Sequence, residues 1–451
     1  MKLRSAMVMV VVWGGCTKTN PSSICHDGAC TDPEHAFCDI DGALSGEPGA
    51  CITVACAPGE LQGCRNHNAL VCNSAGNSYD EQLCASGCVD ALGCLPFLPS
   101  NGLAATLVDA QHEADAIWPS GIRVDTDTGI VQDAHGTPII IKSALVAQVG
   151  APSVRVFEAR SFSIADVTIT GSLSIAMVAV GTISIAGLMS ARAHGSVGGP
   201  GAQTTGPCKG GDFRQASPGG CTGGPPRAFG SGGGGNYQRG GFGAPTFTTD
   251  VTAQENGGLP TTGYSPLLGG CEGGSQIDYL DGSKIDYRGG GGGGALQLVS
   301  LTQIVLTSGG RIDLGGGGGE SSSGGGSGGT LILEAPQVSL SGDGTGITAN
   351  GGAGGGCAMT GPDATSDLTP AHGPSCANYF GGDGGTGAAA SGNACRGAPG
   401  TCLGDMCPVT YGGGGGSVGR ARIGTHDGTY MMTGNPALSV HLDTATLVPA
   451  P

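Results

Sequence analysis

Several residues of this 451-residue chain have types and spacings that could support chemistry. Residues 415–419 match the pattern G-x-S-x-G, which presents a nucleophilic serine in one class of hydrolases. Asp125 and Asp127 alternate with threonines ahead of a glycine, and their carboxylates could offer oxygen ligands to calcium. Asp166 and Asp313 accompany short apolar runs, and a carbohydrate-active enzyme needs carboxylates on neighbouring strands. These residues are the candidates for a catalytic or metal site.

Each of these patterns also has an ordinary explanation. Glycine provides 92 of the residues, so a G-x-S-x-G match arises easily by chance, and the sequence gives it no strand–turn–helix context. Alternating aspartates form common turns, and the other ligands of an EF-hand are missing. Asp166 and Asp313 are isolated, because the outward strand positions are mainly Ser, Thr, Ala and Gln. We therefore predict no catalytic residue, no metal ligand and no cofactor, with calcium at Asp125 and Asp127 left as an alternative.

The charge of the chain excludes one class of partner. Asp and Glu number 35 against 19 Lys and Arg, which gives a formal charge of −16, and the sequence has no cluster of basic residues. A nucleic-acid-binding protein needs a basic surface to displace the counterions of the phosphates. We therefore expect no nucleic-acid partner.

The first residues have the form of an export signal. Two basic residues precede the apolar run 6–13, which is shorter than the ~20 residues that a membrane span requires. Two glycines and Cys16 follow, as in a bacterial lipobox, although Trp13 stands where leucine is usual. We predict a signal peptide over residues 1–15 and a palmitate-bearing lipid modification of Cys16. The alternative is an ordinary signal peptide that is cut nearby, with Cys16 incidental.

The residues after Cys16 bear on the location of the mature protein. Thr17 stands where retention at the inner membrane needs aspartate, so the bacterial sorting rule indicates the outer membrane. Residues 16–24 would then form a lipid-anchored tether. We expect the protein to be exported and held at the outer membrane or the cell surface through this anchor.

The cysteines indicate an oxidising compartment. The chain has 19 cysteines, and 18 remain in two even groups when Cys16 is set aside. Even groups in an exported chain are typical of a disulfide framework. Zinc is the alternative, but the sequence contains no C-x-x-C pair. The first group is Cys25, Cys30, Cys38, Cys51, Cys56, Cys64, Cys72, Cys84, Cys88 and Cys94, and the second is Cys208, Cys221, Cys271, Cys357, Cys376, Cys395, Cys402 and Cys407.

The first cysteine group defines a module over residues 25–98. This stretch has few apolar residues, so disulfide bridges must replace a hydrophobic core. The module could recognise a partner, or it could be a spacer that holds the following domain away from the membrane.

Residues 99–451 are β-rich and repetitive. Pairs of apolar residues separated by one position recur, and both members of such a pair face one side of a strand. Phe162/Ile164 and Ile183/Ile185 are 21 residues apart, and a third short strand trails each unit. A unit of three strands cannot bury its apolar face alone, whereas stacked units can. Other pairs are Val154/Val156, Val167/Ile169, Ile175/Met177, Leu296/Leu298, Ile304/Leu306, Ile312/Leu314, Leu331/Leu333, Val338/Leu340 and Ile347/Ala349.

We predict an all-β fold, a right-handed three-sided parallel β-helix of five or six coils. The right hand follows the usual rule for parallel crossovers. Ile139/Ile141 is interpreted as an earlier coil, and Ala421/Ile423 with Leu438/Val440 as a closing one. A doubly wound α/β fold is the poorer alternative, because no helical period of ten residues or more occurs.

Three glycine-rich inserts interrupt this repeat, at about residues 194–294, 315–329 and 351–416. Each begins after the third strand of a unit, so we expect all three to leave the β-helix at one corner and to stack there. The first insert holds three cysteines of the second group and the third insert holds five. Both counts are odd, so at least one bridge would join these two inserts if all eight cysteines pair.

These stretches together resemble the glycine-rich, cysteine-rich surface lipoproteins of the myxobacterial type. The matching stretches are MKLRSAMVMVVVWGGC, the module of residues 25–94, SVRVFEARSFSIADVTITGSLSIAMVAVGTISIAG with its GGPGA ending, and the coils flanked by GGGGG. More distantly, the chain is similar to the β-solenoid passengers of bacterial adhesins. The resemblance implies location and architecture more than an activity.

We predict a non-enzymatic surface protein with a structural or adhesive role, present as a monomer. The alternatives are a β-helix carbohydrate-active enzyme and a module that binds polysaccharide or a surface protein. Carboxylates within hydrogen-bond reach on neighbouring coils would favour the enzyme, and a smooth face of Ser, Thr and Gly would favour the structural role.

Overall fold

The computed structural model describes residues 24–447, except for 26–27, 36, 41, 43–46, 54–55, 75–77, 215–229, 245–255, 281–282, 377–381, 391 and 399–410. The chain divides into two compact units, Met1–Cys84 with Cys88–Cys94, and Ala85–Gly87 with Leu95–Pro451. The predicted signal peptide, the tether up to residue 23 and the lipid site at Cys16 lie outside the described residues.

The first unit consists of short antiparallel strands that are joined by disulfide bridges. A 3-10 helix (Pro33–His35) precedes two-stranded and three-stranded sheets, in the orders β1–β2, β3–β4–β5 and β6–β7. Among its described residues, four of the six buried apolar side chains are cysteines, so bridges stand in for a core. The strands are β1 (Phe37–Asp39), β2 (Ala50–Ile52), β3 (Leu61–Arg65), β4 (Asn68–Cys72), β5 (Tyr79–Gln82), β6 (Cys88–Val89) and β7 (Gly93–Cys94).

The second unit begins with a 3-10 helix (Ser100–Ala105) and one short α-helix, α1 (Thr106–His112). All the other elements in the described part of this unit are strands, most of them short. These are β8 (Ala116–Trp118), β9 (Ile122–Asp125), β10 (Val131–Gln132), β11 (Pro138–Ile139), β12 (Lys142–Gln148), β13 (Ala151–Ala159), β14 (Phe162–Ile164), β15 (Val167–Thr170), β16 (Ile175–Ala179), β17 (Ile183–Ile185), β18 (Leu188–Ser190), β19 (Phe213–Arg214), β20 (Gln276–Leu280), β21 (Ser283–Tyr287), β22 (Ala295–Ser300), β23 (Gln303–Leu306), β24 (Arg311–Asp313), β25 (Thr330–Glu334), β26 (Gln337–Ser341), β27 (Gly346–Thr348), β28 (Arg420–Thr425), β29 (Met431–Thr433), β30 (Ala437–Ser439) and β31 (His441–Thr446).

Three large sheets organise this unit. Sheet A has the order β12-β13-β16-β22-β25-β28-β31, sheet B β29-β26-β23-β17-β14-β8, and sheet C β11-β10-β9-β15-β18-β24-β27-β30. From β13 onward the chain visits sheets A, B and C in turn, except that β19, β20 and β21 form a small sheet of their own, and successive strands of each large sheet pair in parallel. The predicted all-β class, with parallel sheets and disulfides, is confirmed.

A single core is shared by the three sheets. Ile175 and Met177 of β16 lie in register with Leu296 and Leu298 of β22, so the same strand face is apolar in each round. Buried side chains of sheets B and C join the same cluster. At the end where β8 lies, the indole of Trp118 packs edge-on against neighbouring phenylalanine rings, with ring centroids 5.6 and 6.3 Å away.

Two predicted strand pairs are wrong. The pair Val154/Val156 was predicted to face the core. In the structure Phe157, opposite Met177, faces the core, whereas Val156, opposite Ala176, lies on the outer face, so the core face of β13 is displaced by one residue. The cause is that Val154 and Val156 are buried too, on the outer face where α1 packs against β13. The pair Ile139/Ile141 forms no parallel unit, because β11 and β12 pair with antiparallel neighbours.

The glycine-rich segments form an ordered bundle that is neither helix nor sheet. Residues three apart donate backbone hydrogen bonds to the same neighbouring segment, and the two residues between them donate to two other segments. This spacing matches the three residues per turn of a polyproline II chain, which has no hydrogen bonds within one segment. In one run, Gly232 and Gly235 donate to Gly211 and Cys208, Gly233 donates to Gly241, and Gly234 donates to Gly325.

The bundle joins all three inserts. Gly234 of the first insert donates to Gly325 of the second, Gly325 donates to Gly414 of the third, and Ser417 of the third donates back to Gly234. Each bond is 2.8 to 3.0 Å long. The inserts are therefore one hydrogen-bonded body across long stretches of sequence.

Close approach of the segments, and not an unusual backbone angle, requires glycine in the bundle. A Cβ atom on Gly326 would lie 2.0 Å from the carbonyl oxygen of Gly291, and one on Gly414 would lie 2.1 Å from that of Gly241. Neither Gly326 nor Gly414 has a φ in the left-handed region. Any larger residue would therefore push the segments apart.

Within the described parts of the chain, we find no helix whose length and apolar character would let it span a bilayer.

Candidate functional site

The outer face of sheet A carries a buried polar network centred on Glu334 of β25. Its Oε1 accepts a hydrogen bond from Arg422 Nη2 over 2.8 Å, and its Oε2 accepts one from Gln297 Nε2 over 2.9 Å. The backbone N–H of Ser100 also donates to Oε2 over 3.1 Å. Gln297, Glu334 and Arg422 belong to the consecutive strands β22, β25 and β28.

This network fixes the 3-10 helix against the sheet. Asn101, which has a left-handed φ of 57°, donates from Nδ2 to Gln297 Oε1 over 2.9 Å. Arg422 Nη2 donates to Ser100 Oγ over 3.0 Å as well. With three donors on a carboxylate that is only 2% exposed, Glu334 is placed to hold this segment and not to take a proton from a substrate.

The network continues to Tyr264 of the first insert. The guanidinium carbons of Arg420 and Arg422 lie 4.9 and 5.1 Å from the centroid of the Tyr264 ring, within the range of cation–π contacts. The Tyr264 hydroxyl donates to Asp443 Oδ2 over 2.6 Å. Burial and this hydrogen bond raise the pKa of Tyr264, so its hydroxyl stays protonated. The arrangement clamps the first insert onto β28 and β31.

Glu158 of β13 is a second buried carboxylate on the outer face of sheet A. Lys142 Nζ lies 3.5 Å from Glu158 Oε2 and 2.9 Å from Asp109 Oδ1 on α1. Burial raises the pKa of Glu158, and the Lys142 charge opposes that shift. These side chains hold α1 and β12 against β13.

Asp313, one of the two carboxylates singled out from the sequence, is buried in β24. Its Oδ2 lies 3.2 Å from Arg192 Nη1, and its Oδ1 accepts hydrogen bonds from the Gly315 N–H and the Thr348 hydroxyl. Burial raises the pKa of Asp313, and the charge of Arg192 opposes this. Its contacts attach the start of the second insert to sheet C.

Asp166, the other carboxylate, lies between β14 and β15. Its Oδ1 accepts the Leu188 N–H over 2.8 Å, and hydrogen bonds from Leu188 and from the Ser120 side chain lower its pKa. No hydrogen bond joins Asp166 to Asp313, so these two described residues are not brought together as a catalytic pair.

The aspartate-rich loop predicted as an alternative calcium site is held by an internal cation. Asp125 Oδ1 accepts the backbone N–H groups of Asp127 and Thr128, which is the pattern of an Asx turn. Arg155 donates from Nε to the Thr126 carbonyl and from Nη2 to the Asp127 carbonyl, each over 2.9 Å. The Asp125 carboxylate and these two carbonyl oxygens are therefore hydrogen-bonded to groups of the protein itself.

Ser417, the serine of the G-x-S-x-G match, is fully buried in the glycine bundle. Its Oγ accepts the Asn236 N–H over 2.8 Å. The residues around it form neither the strand nor the helix that a nucleophile elbow needs, so this serine ties the third insert to the first.

The cysteines form seven bridges among the described residues. Those of the first unit are Cys25–Cys38, Cys30–Cys51, Cys56–Cys72, Cys64–Cys88 and Cys84–Cys94, and those of the second are Cys208–Cys271 and Cys357–Cys376. Such bridges are consistent with an exported or extracellular protein. In the part of the chain that the structure describes, two groups of side chains have the spacing of metal ligands, but the cysteines of both groups are in these bridges.

Cys395 does not fit the predicted framework, because it carries an exposed free thiol. The other described cysteines of the inserts are already paired, each within its own insert. The predicted bridge between the first and third inserts is not among the described ones. Cys16, Cys221, Cys402 and Cys407 lie outside the described residues, so their predicted roles stay predictions.

The network around Glu334 was not predicted from the sequence, although the sequence contains a signal for it. Gln297, Glu334 and Arg422 each interrupt an apolar strand at an outward position of successive rounds. Aligning the polar positions of the repeat, and not only the apolar ones, would have placed Gln297 and Arg422 in one column across the sheet.

Comparison of the chain with protein-family models, with curated proteins and with solved structures gave no match in any of the three.

Proposed function

We propose that this chain is an exported surface protein whose second unit serves as a non-enzymatic structural or adhesive module. The observation that carries the proposal is the hydrogen-bonded glycine bundle. It is assembled from all three inserts and contains few side chains that could act on a substrate. A body of this kind provides a stiff platform, because each segment is bonded to several others and cannot move alone.

The same proposal includes the architecture of the second unit. Its strands would wind as a right-handed, three-sided parallel β-helix, with the inserts leaving at one corner. The repeated order of sheets A, B and C and the core shared by all three support this architecture. The right hand rests on the general rule for parallel crossovers.

The polar networks support a structural role over catalysis. Glu334 and Arg422 lie on neighbouring strands, as in the arrangement expected of a β-helix enzyme, yet the carboxylate is bound by three donors of the fold. The buried Asp313 is likewise bound by Arg192 and by groups beside it. These side chains attach the inserts and the 3-10 helix to the sheets.

The location is the second part of the proposal. The protein would be anchored at the outer membrane or the cell surface by lipid on Cys16, in line with its resemblance to myxobacterial-type surface lipoproteins. The disulfide bridges support export, since they persist in oxidising compartments. The sequence before Cys16 supports the lipid anchor.

Membrane fractionation and surface proteolysis of cells that produce the wild-type protein or Cys16→Ser test the location. We expect the wild type in the membrane fraction and accessible to external protease, and the variant released from the membrane. A variant that stays anchored would exclude the lipid anchor. Attachment of producing and deletion cells to polysaccharide-coated surfaces tests the adhesive role, and equal attachment of the two strains would refute it.

A further inference from the structure

A groove of about 530 Å³ lies beside the start of β26, next to the last strand of sheet B. Its walls are the first residues of β26 and the turn that leads from β28 to β29. The volume falls within the range of about 300–1,000 Å³ that is usual for small-ligand sites. None of the networks described above includes its residues.

The groove exposes part of a strand edge. Pairing between β26 and β29 begins only at Ser339, opposite Met431. Gln337 and Val338 pair with β23 on their other side, but no described strand pairs with them on the side of the groove. Of these two residues, Gln337 is exposed and can contact a ligand, whereas Val338 is buried, so a ligand would meet mainly the side chains of the walls.

The side chains of the groove combine one aromatic ring with several polar groups. Tyr430 is partly buried and packs against the core, which fixes the position of its ring. Gln337, His426 and Asp427 are exposed. Hydrogen bonds from the hydroxyl and the N–H of Thr429 lower the pKa of Asp427, so this carboxylate stays an acceptor.

We propose that this groove binds a neutral polysaccharide, an inference that rests on the adhesive function proposed above. The Tyr430 ring offers an apolar face to the C–H groups of a sugar. Gln337 and Asp427 offer planar donors and acceptors to its hydroxyls. An acidic polysaccharide fits less well, because the lining has the charge of Asp427 and no Lys or Arg, on a chain of net charge −16.

Affinity electrophoresis of the purified mature protein tests the inference. The gels contain dextran, laminarin or hydroxyethyl cellulose as neutral polysaccharides, or polygalacturonate as an acidic one. We expect retardation by at least one neutral polysaccharide and none by polygalacturonate, and an association constant at least tenfold lower for Tyr430→Ala. Retardation by none of the neutral polymers, or by polygalacturonate alone, would overturn the inference.

Two further variants separate binding from folding. Gln337→Ala changes an exposed side chain of the groove, and we expect it to bind at least threefold more weakly with an unchanged unfolding midpoint. Tyr237→Ala is the matched control, because this tyrosine stacks on His441 outside the groove, and it should bind as the wild type does. Wild-type binding by both Tyr430→Ala and Gln337→Ala would contradict the site.

Cell attachment distinguishes this inference from the proposed function. If deletion of the protein abolishes attachment to a neutral polysaccharide while both groove variants restore it fully, the groove inference fails and the adhesive function stands. If deletion leaves attachment unchanged, the adhesive function fails, whatever the purified protein binds.

Discussion

Arg422 and Glu334 lie on neighbouring parallel strands, and the guanidinium donates to the buried carboxylate over 2.8 Å on the outer face of sheet A. The pair lies under the 3-10 helix, and Ser100 contacts both of its members. The Glu334 side chain is almost fully buried and that of Arg422 is 24% exposed, so each charge compensates for hydration that the other has lost.

Removing one member of the pair is expected to destabilise the second unit. Glu334→Ala leaves the partly buried Arg422 and the backbone N–H of Ser100 without their acceptor, and we expect the free energy of unfolding to fall by about 3 kcal/mol, the lower end of the range for buried pairs. Urea denaturation followed by far-UV circular dichroism and by fluorescence of the buried Trp118 measures this change. Asp343→Ala is the control, because that side chain is exposed, and we expect an effect within about 0.5 kcal/mol. Equal effects of the two substitutions would contradict the role given to Glu334.

Glu158 should make stability depend on pH. Its pKa in the folded state is raised above the ordinary value of 4.5. Between the unfolded-state pKa and the folded-state pKa, the folded state therefore keeps a proton that the unfolded state has released. The contribution of Glu158 is therefore complete at low pH and is lost as the pH rises through the folded-state pKa. We expect Glu158→Gln to equal the wild type near pH ~4 and to become more stable than it by about pH 7.

Denaturation series at several pH values, with Asp343→Asn as a control for removing a charge, check this pH dependence. The control should run parallel to the wild type across the range. A Glu158→Gln variant that becomes less stable than the wild type as the pH rises would show that attraction to Lys142 outweighs burial.

The apolar repeat was sufficient to predict most strands, because stacked strands must present the same face to one core. Ile183/Ile185 and Leu296/Leu298 both lie on predicted strands with the predicted face inward. The prediction failed where both faces are buried. In β13 the residues from Val156 to Ala159 are all buried. The alternation of apolar and polar residues therefore could not indicate which face of the strand meets the core.

The contacts of the inserts could not be predicted, because glycine has no side chain to carry a pattern. Gly234, Gly325 and Gly414 are hydrogen-bonded in sequence order across three inserts, yet their local sequences are nearly identical. The odd number of cysteines in two of the inserts was likewise insufficient to predict a bridge between them. That prediction assumes that every thiol is paired, whereas Cys395 is a free thiol.

Cys395 should react as a free thiol in the native protein. Its side chain is exposed, whereas Cys208 and Cys271 are buried in a bridge. We expect maleimide to label Cys395 without prior reduction, and peptide mapping by mass spectrometry to find no label on Cys208 or Cys271. A disulfide-linked peptide that contains Cys395 would contradict the free thiol and would restore the pairing predicted from parity.

The glycine bundle gives a prediction about close packing. In Gly326→Ala, the new methyl group would meet the Gly291 carbonyl oxygen at 2.0 Å, so two segments must separate and their hydrogen bonds must weaken. We expect the free energy of unfolding to fall by about 1–3 kcal/mol, as for other overpacked sites. Gly392→Ala is the matched control, because Gly392 is exposed and its nearest atom would be 3.2 Å away. Thermal unfolding of both variants measures the difference, and equal unfolding midpoints would contradict the packing of the bundle.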